Sequence, residues 1–146
     1  MAKDAIKERL YDEVGIGDRA WSQRLGRGTF AVMFHWLAEE LRVGRSAIVE
    51  ANFSEEALPA FAALPPHRTL QVYCTAPRDV LLERYTQRPR HPGHVDDVVL
   101  DELRSGVHDD RHPRLPLGGE VLDVDSSKPV DVPAVVERVR AALGST

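Results

Sequence analysis

The sequence predicts an α/β domain built on a parallel sheet with crossover helices. Three observations support this class. Nearly unbroken apolar runs alternate along the chain with helical apolar patterns, glycines and prolines separate the two kinds of segment, and the runs are short enough to be strands. The 146 residues match the length of one domain, so residues 1–146 are expected to fold as a single unit.

The chain is predicted to begin with two helices. Apolar residues at helical spacing predict helices over 4–14 and 30–42, with Thr29 as the N-cap of the second. Residues 18–28 are expected to form a loop, in which a helical turn around Trp21 is left open. The polar residues of the first helix are expected to be more exposed than its apolar stripe: Lys7, Glu8, Arg9 and Asp12.

Three strands and four further helices are predicted after this pair. The strands cover 46–53, 69–76 and 120–124, and the first two are expected to be buried on both faces because they are almost free of polar residues. The predicted helices begin at Ser54, which caps the first of them, and at Pro77, and cover 95–106 and 133–143.

Polar residues gather at the carboxyl ends of the predicted strands. These ends lie at 50–53, 75–77 and 125–128. Ligands of parallel sheets bind at this edge, so it is the predicted place of a functional site.

Composition limits the partners of the chain. The net charge of −4 does not favour nucleic acid or an anionic membrane as a bulk partner. Cys74 is the single cysteine, which excludes a disulfide framework and fits a reducing compartment. There is no apolar run of membrane-spanning length and no signal-peptide core, so a cytoplasmic location is expected.

A cluster of arginines follows the helix that begins at Pro77. Arg84, Arg88 and Arg90 lie within seven residues, and prolines interrupt regular structure around the last of them. Guanidinium groups match phosphate oxygens with two hydrogen bonds at a time, so the cluster predicts an anion clamp on a movable segment. The alternative is a solvated helix end whose positive charge complements the helix dipole.

Four stretches, taken in order, resemble the P-loop kinases that phosphorylate small molecules. They read DAIKERL at 4–10, AIVEANF at 47–53, QVYCTAP at 71–77 with ERYTQRPR at 83–90, and VLDVDSS at 121–127. The resemblance is to the zeta-toxin, chloramphenicol phosphotransferase and polynucleotide-kinase-like group. It implies a three-layer P-loop NTPase-like domain that transfers the γ-phosphoryl group of ATP to a hydroxyl of a small molecule, with Mg²⁺.

The resemblance also implies roles for individual residues. Asp4 would be the general base, although its place at the start of a helix also suits a plain N-cap. A lid-like segment would cover 84–112, with Arg84 and Arg88 as its catalytic arginines. The implied substrate-binding residues are Lys7, Arg9, Glu50 and Asn52, with Glu50 near magnesium or substrate. The implied nucleotide-binding residues are Arg88, Arg90, Ser126, Ser127 and Lys128.

The phosphate-binding motif of that family is absent. The pattern Gly-x-x-x-x-Gly-Lys-[Ser/Thr] does not occur in the chain, which begins at the element that follows this motif in relatives. We therefore expect that the first β–loop–α–β unit of the family is missing. ATP binding is then doubtful, the chain should be a poor or inactive kinase, and unpaired strand edges should favour self-association.

Two other functions remain open from the sequence. The chain could be a non-catalytic module that keeps the kinase fold for binding or interaction. It could also hold a metal ion through two histidine pairs with metal-ligand spacing, although no metal ligand is assigned. The pairs are His91 with His94 and His108 with His112, near Asp96, Asp97, Asp109 and Asp110.

Overall fold

The computed structural model describes residues 1–94, 100–101, 104–106 and 112–144. The helices and strands of these residues are α1 (Lys3–Val14), α2 (Arg19–Arg42), α3 (Leu58–Ala62), β1 (Leu70–Thr75), α4 (Arg78–Gln87), β2 (Glu120–Asp125) and α5 (Val132–Gly144). Single 3-10 turns occupy Glu55–Ala57 and Pro92–His94. Most of the predicted helix over 95–106 lies outside the described residues, as does much of the lid-like segment 84–112.

The helices α1 and α2 pack against each other and contain most of the buried side chains. Tyr11 of α1 is 2% exposed, and Met33 and Leu37 of α2 are also buried. The apolar stripes predicted for both helices therefore do form the core. Asp18 begins α2, because its carboxylate accepts a hydrogen bond from the Trp21 backbone N–H at 2.8 Å.

The predicted loop over 18–28 is wrong, because these residues form the first half of α2. Thr29 is not an N-cap: it is fully buried inside the helix, and its hydroxyl donates to the Leu25 carbonyl at 2.8 Å. Gly26 and Gly28 each weaken a helix by about 1 kcal/mol relative to alanine. Packing against α1 supplies the stability that local propensity lacks.

The prediction that Lys7 is exposed is also wrong. The side chain is buried, and its ammonium donates to the Ser22 hydroxyl at 2.9 Å and lies 5.4 Å from the centre of the Tyr11 ring. The apolar pattern of α1 placed it among exposed polar residues. The error arises because α2 covers Lys7 and provides a hydroxyl as partner, which α1 alone does not reveal.

The sheet of the described chain contains two parallel strands. β1 and β2 pair in register from Leu70 opposite Glu120 to Thr75 opposite Asp125. The predicted strands over 69–76 and 120–124 are thus confirmed, together with their parallel direction. A two-stranded sheet with flanking helices is an α/β arrangement, and it does not amount to the three-layer domain that was predicted.

The predicted strand over 46–53 is wrong. This segment forms only an isolated parallel bridge, in which Glu50 pairs with Ala2. Two backbone hydrogen bonds of 2.9 Å accompany it, from Lys3 N–H to the Glu50 carbonyl and from Glu50 N–H to the Met1 carbonyl. The pairing is limited to this bridge, because the chain enters α1 at Lys3.

The prediction that the strands are buried on both faces is wrong as well. Ile48 is 73% exposed, Val72 is 40% exposed, and the Cys74 side chain is also exposed. Their apolar character indicated burial, but burial depends on which elements lie alongside. The helices of the described ranges leave these side chains open to solvent.

The helix predicted from Ser54 is shorter than expected. A 3-10 turn precedes α3, and the Ser54 side chain makes no capping hydrogen bond. Aromatic contacts hold this region against α2: the ring of Phe61 lies 4.9 Å from that of Phe34 and 5.1 Å from that of Phe53, measured between centroids. Edge-to-face packing of this kind holds the short helix α3 against α2.

The helices predicted from Pro77 and over 133–143 are confirmed as α4 and α5. Among the described helices, none has the length and apolar character needed to cross a membrane.

Candidate functional site

The carboxyl ends of β1 and β2 are joined by a polar turn. The Ser126 N–H donates to the Thr75 carbonyl at 2.7 Å, and the Ser126 hydroxyl donates to the same oxygen at 2.8 Å. The Arg84 guanidinium of α4 donates to the Ser126 carbonyl and lies 3.3 Å from the Ser126 hydroxyl. Arg84 is therefore tied to the end of the sheet.

Arg88 and Arg90 belong to a different arrangement. Helix α4 ends at Gln87, and Arg88 adopts an extended conformation with φ −80° and ψ 131°, as expected before a proline. Arg84 and Arg88 thus do not share a helical face. Instead, the guanidinium carbons of Arg88 and Arg90 lie 5.3 and 5.2 Å from the centre of the Tyr85 ring. Both cationic groups thus contact the same aromatic ring.

Asp4 lies within reach of this cationic group. Its carboxylate is 3.5 Å from the Arg90 guanidinium, across 86 residues of sequence, and 2.9 Å from the Lys3 ammonium. Burial would raise the pKa of Asp4, but the hydrogen bond and charge of Lys3, with the charges of His94 and Arg90, hold it below its usual value. The carboxylate is thus ionised at neutral pH. Ala2 is the N-cap of α1, so Asp4 lies in the first turn and is not the plain N-cap considered above.

Glu50 and Asn52 are near this region through the backbone. The bridge between Ala2 and Glu50 places residue 50 beside the start of α1, and both side chains are exposed. Exposure agrees with the alternative interpretation of Glu50 as a solvent-facing residue. Their roles as substrate ligands remain predictions.

Lys7 and Arg9 point in different directions from α1. Lys7 is buried against α2, as described above, whereas Arg9 is 86% exposed at its side chain and lies 3.4 Å from the Asp12 carboxylate. Arg9 follows Asp4 by five positions, which is about 140° around the helix axis. The structure therefore does not bring Arg9 together with Asp4 and Arg90.

The turn after β2 is largely satisfied by its own hydrogen bonds. The Asp125 carboxylate accepts from the Ser127 N–H at 2.9 Å and from the Ser127 hydroxyl at 2.6 Å. These bonds from Ser127 hold the pKa of Asp125 below its usual value. The exposed Lys128 ammonium is 3.8 Å from the same carboxylate. This turn lies beside Arg84, but it is separate from the contact between Asp4 and Arg90.

The groups that join residues 88–94, the arginine segment, to α1 were not predicted from the sequence. His94 is buried and lies 2.9 Å from the Glu8 carboxylate, and His91 lies 3.2 Å from the Asp12 carboxylate. The spacing of the two histidines predicts metal binding, and this spacing by itself does not pair them with α1. A helix with carboxylates four residues apart was the available clue.

The described residues do not show a metal site. Within the described ranges, no group of three or more His, Cys, Asp or Glu side chains is arranged to hold a metal ion. His91 and His94 contact different carboxylates and do not converge, and His112 lies 3.2 Å from the Phe53 carbonyl. His108 and the four aspartates predicted near it lie outside the described residues.

A shallow cavity of about 140 Å³ lies at the opposite end of the sheet. It is lined at the amino ends of the strands by Thr69, Gln71 and the segment 115–121. The Gln71 amide oxygen is buried there and has no hydrogen-bond partner among the described residues. Because ligands of parallel sheets bind at the carboxyl ends, we do not assign this cavity to the functional site.

Parallel strands flanked by helices, with Arg84 bound at their carboxyl ends, define an α/β protein. No protein-family model matches the chain, and no curated protein matches it significantly. It is similar to a solved structure described as a "putative kinase" from Chloroflexus aurantiacus, with 35% identity over 97% of this chain and 82% of that one, and a TM-score of 0.79. The chain therefore belongs to the same kinase-like family as that protein.

Proposed function

We propose that the chain carries the fold of a P-loop phosphotransferase whose acceptor is a hydroxyl group of a small molecule. The observation that carries this proposal is the contact between the Asp4 carboxylate and the Arg90 guanidinium, which joins the first helix to the arginine segment. A base and a phosphate-binding cation at one place are what hydroxyl phosphorylation requires. The proposed phosphoryl donor is ATP, which agrees with the cytoplasmic location that the sequence predicts.

Asp4 is the proposed general base. Its lowered pKa keeps it ionised at neutral pH, so it can orient a hydroxyl group and accept its proton as the phosphoryl group arrives. The Arg90 and Lys3 contacts hold the carboxylate in place before substrate binds. The acceptor hydroxyl would take the side of the carboxylate left open, since the Asp4 side chain is 44% exposed.

The arginines are the proposed ligands of the phosphate groups. Arg88 and Arg90 both contact the Tyr85 ring and are the proposed ligands of polyphosphate oxygens, while Arg84 holds the turn after β2. These residues fit a phosphate chain. The carboxylates of the described residues do not form a cluster that fits Mg²⁺, so no step is assigned to the metal.

Activity should be low in this chain. The glycine-rich motif that cradles phosphates in P-loop kinases is absent from the sequence, and the arginine segment alone lacks its row of backbone N–H donors. We therefore propose weak phosphate binding and poor transfer.

Binding of inorganic triphosphate, measured by calorimetry at low salt, tests the arginine assignment. Replacing Arg90 by Met should weaken triphosphate binding by about tenfold, the effect of losing one charge-assisted pair. Arg140→Met is the matched control, because Arg140 is an exposed arginine of α5 that pairs with Glu137. Equal affinity of the two variants would remove Arg90 from the site.

Transfer of the γ-phosphoryl group from ATP to a panel of small alcohols tests the role of Asp4. Asp4→Asn should abolish any transfer while leaving ATP affinity within about twofold, since the amide cannot accept the proton. A variant as active as the unchanged protein would exclude Asp4 as the base. ATP binding that is undetectable with and without Mg²⁺ would favour the non-catalytic alternative.

One observation favours that alternative, an interaction module that self-associates. β1 has no charged residue, and Val72 is exposed at its middle, whereas β2 carries Glu120, Asp123 and Asp125. Uncharged strand edges pair readily and acidic ones repel. Light scattering under reducing conditions tests this: Val72→Lys should prevent self-association, and Val121→Lys in β2 should not. Monomers at every concentration would contradict it.

A further inference from the structure

The segment that carries Arg90 also lies along α1. Three carboxylates at successive helical turns each meet one of its side chains: Asp4 meets Arg90 at 3.5 Å, Glu8 meets His94 at 2.9 Å, and Asp12 meets His91 at 3.2 Å. Residues four apart share a helical face, so the segment follows a single side of α1. The His94 side chain is 7% exposed, which makes it the most buried of the three partners.

Gly93 brings the backbone of this segment against Tyr11. A Cβ atom at position 93 would lie 2.4 Å from Cδ2 of Tyr11 and 2.6 Å from its Cγ, closer than real contacts allow. The Tyr11 ring has little room to move, because it is 2% exposed and its hydroxyl donates to Ser22 at 2.6 Å. His91 stacks on the same ring at 5.4 Å between centroids. Glycine is therefore the residue that permits this approach.

The contact between Asp4 and Arg90 could not hold the segment by itself. A single ion pair with a half-exposed carboxylate contributes little to stability, because water screens it. Gly93 and His94 are buried instead, so their contacts are shielded from water. They lie three and four residues after Arg90 and so restrict where its guanidinium can go.

We infer that Gly93 and His94 are positioning residues that anchor the arginine segment on α1 and thereby hold Arg90 against Asp4. The role of the anchor in positioning Arg90 for a phosphate rests on the proposed function. Docking of the segment on α1 does not, because it is a property of the chain with or without a phosphate ligand. In the docked state Arg90 occupies one oxygen of the proposed base. An incoming phosphate would compete with Asp4 for that guanidinium.

The anchor should respond to pH. His94 faces Glu8, Asp4 and Lys7 on α1 and Arg90 on its own segment, with the Tyr11 ring at its edge. Burial lowers the pKa of His94, and the positive charges of Arg90 and Lys7 lower it further. The hydrogen bond to Glu8 and the charge of Asp4 raise the pKa, but they only partly offset this lowering. The docked segment thus prefers the neutral ring, and acidification below the usual histidine pKa should release it.

Limited trypsin digestion with mass spectrometry tests the anchor. The Arg90–His91 bond is cleavable only when the segment leaves α1, whereas Arg88 precedes a proline and resists cleavage. Gly93→Ala should speed cleavage after Arg90 by about tenfold, because the added methyl group overpacks the Tyr11 contact. Gly28→Ala is the control, since a Cβ at that position meets no atom within 4 Å.

A second variant keeps the test decisive if Gly93→Ala unfolds the whole chain. Glu8→Gln removes a charge from a side chain that is 40% exposed, so the helices should remain intact by circular dichroism. It should speed the same cleavage by about threefold. If protonation of His94 releases the segment, acidification from about pH 7.5 to 5.5 should expose the Arg90–His91 bond in the unchanged protein. The same acidification should not expose this bond in His94→Gln.

The outcomes separate this inference from the proposed function. If Gly93→Ala and Glu8→Gln are cleaved like Gly28→Ala, the anchor is overturned, even when triphosphate binds. If cleavage accelerates as expected but neither the unchanged protein nor its variants bind triphosphate, the anchor stands. The assignment of the arginines as phosphate ligands then fails.

Discussion

The helical side and the sheet side of this protein differ in how completely their residues are buried. Tyr11 and Met33, on α1 and α2, are 2% and 0% exposed, whereas Val72 and Val121, on β1 and β2, are 40% and 39% exposed. The contacts of Asp4 with Arg90 and of Glu8 with His94 belong to the well-packed side, whereas Arg84 contacts the end of the sheet. The proposed site thus depends on helix packing more than on the sheet that usually organises α/β domains.

The largest contrast should come from core truncation. Met33→Ala should lower the free energy of unfolding by about 2–5 kcal/mol, because a fully buried side chain leaves a cavity. Val72→Ala should lower it by less than about 1 kcal/mol, because the side chain is largely solvated. Urea titrations of both variants measure the difference. Equal losses would mean that the sheet is as well covered as the helices.

A backbone contact offers a test within the sheet itself. A Cβ at Gly119 would lie 1.9 Å from the Thr69 carbonyl oxygen, where the chain enters β1 and β2. Gly119→Ala should therefore lower the free energy of unfolding by about 1–3 kcal/mol. Gly28→Ala, in the interior of α2, should instead raise it by up to about 1 kcal/mol. If the two alanines have the same effect, the close approach at Gly119 does not exist in solution.

The pH dependence of stability should separate the two polar contacts of α1. The folded-state pKa of Asp4 lies below its usual value near 3.8, so its contribution is present above that pH and is lost as pH falls through the folded pKa. The folded-state pKa of His94 lies below its usual value near 6.5, so stability should fall as pH drops below about 6.5.

Urea unfolding from pH 8 to about 3 checks both windows. Asp4→Asn should flatten the loss below about pH 4, and His94→Gln should flatten the loss that begins below about pH 6.5. His67→Gln is the control, because His67 is exposed and contacts only the nearby Pro65 carbonyl among the described residues. A profile that is unchanged in His94→Gln would show that this histidine does not prefer its neutral form in the folded protein.

The smallest effect is expected at Arg9. Its pairing with Asp12 is solvent-exposed, so Arg9→Ala should change the free energy of unfolding by less than about 0.5 kcal/mol. It should also leave triphosphate affinity unchanged, because the guanidinium points away from Asp4. A clear loss of binding in Arg9→Ala would restore the substrate contact that the family resemblance implies.

Local patterns predicted the elements whose formation needs few neighbours. The stripe of α1, the proline at the start of α4 and the apolar runs of β1 and β2 all led to correct elements and to a parallel pair. The first half of α2 was missed because Gly26 and Gly28 resemble a loop in isolation. Residues 46–53 were wrongly predicted to form a strand. Their apolar run would need a partner strand to become a strand, and in the structure it forms only one bridge.

The candidate site divides in the same way. The sequence identified Asp4 and the arginines as reactive residue types and, through the family resemblance, assigned them to one place, and the structure brings Asp4 and Arg90 into contact. It could not foresee the buried Lys7 or the pairing of His94 with Glu8, which arise from residues 15 and 86 positions apart. Nor did it show that Arg84 and Arg88 separate at the end of α4.

The sequence by itself determined the residue chemistry, the elements α1, β1, α4, β2 and α5, and the parallel direction of the two strands, because hydrophobic period, capping and turn residues act over a few neighbouring positions. Only the tertiary structure decided which apolar runs are covered and which charges meet. Burial and pairing depend on the element that lies opposite, and a side chain's own neighbours in the chain do not specify that element.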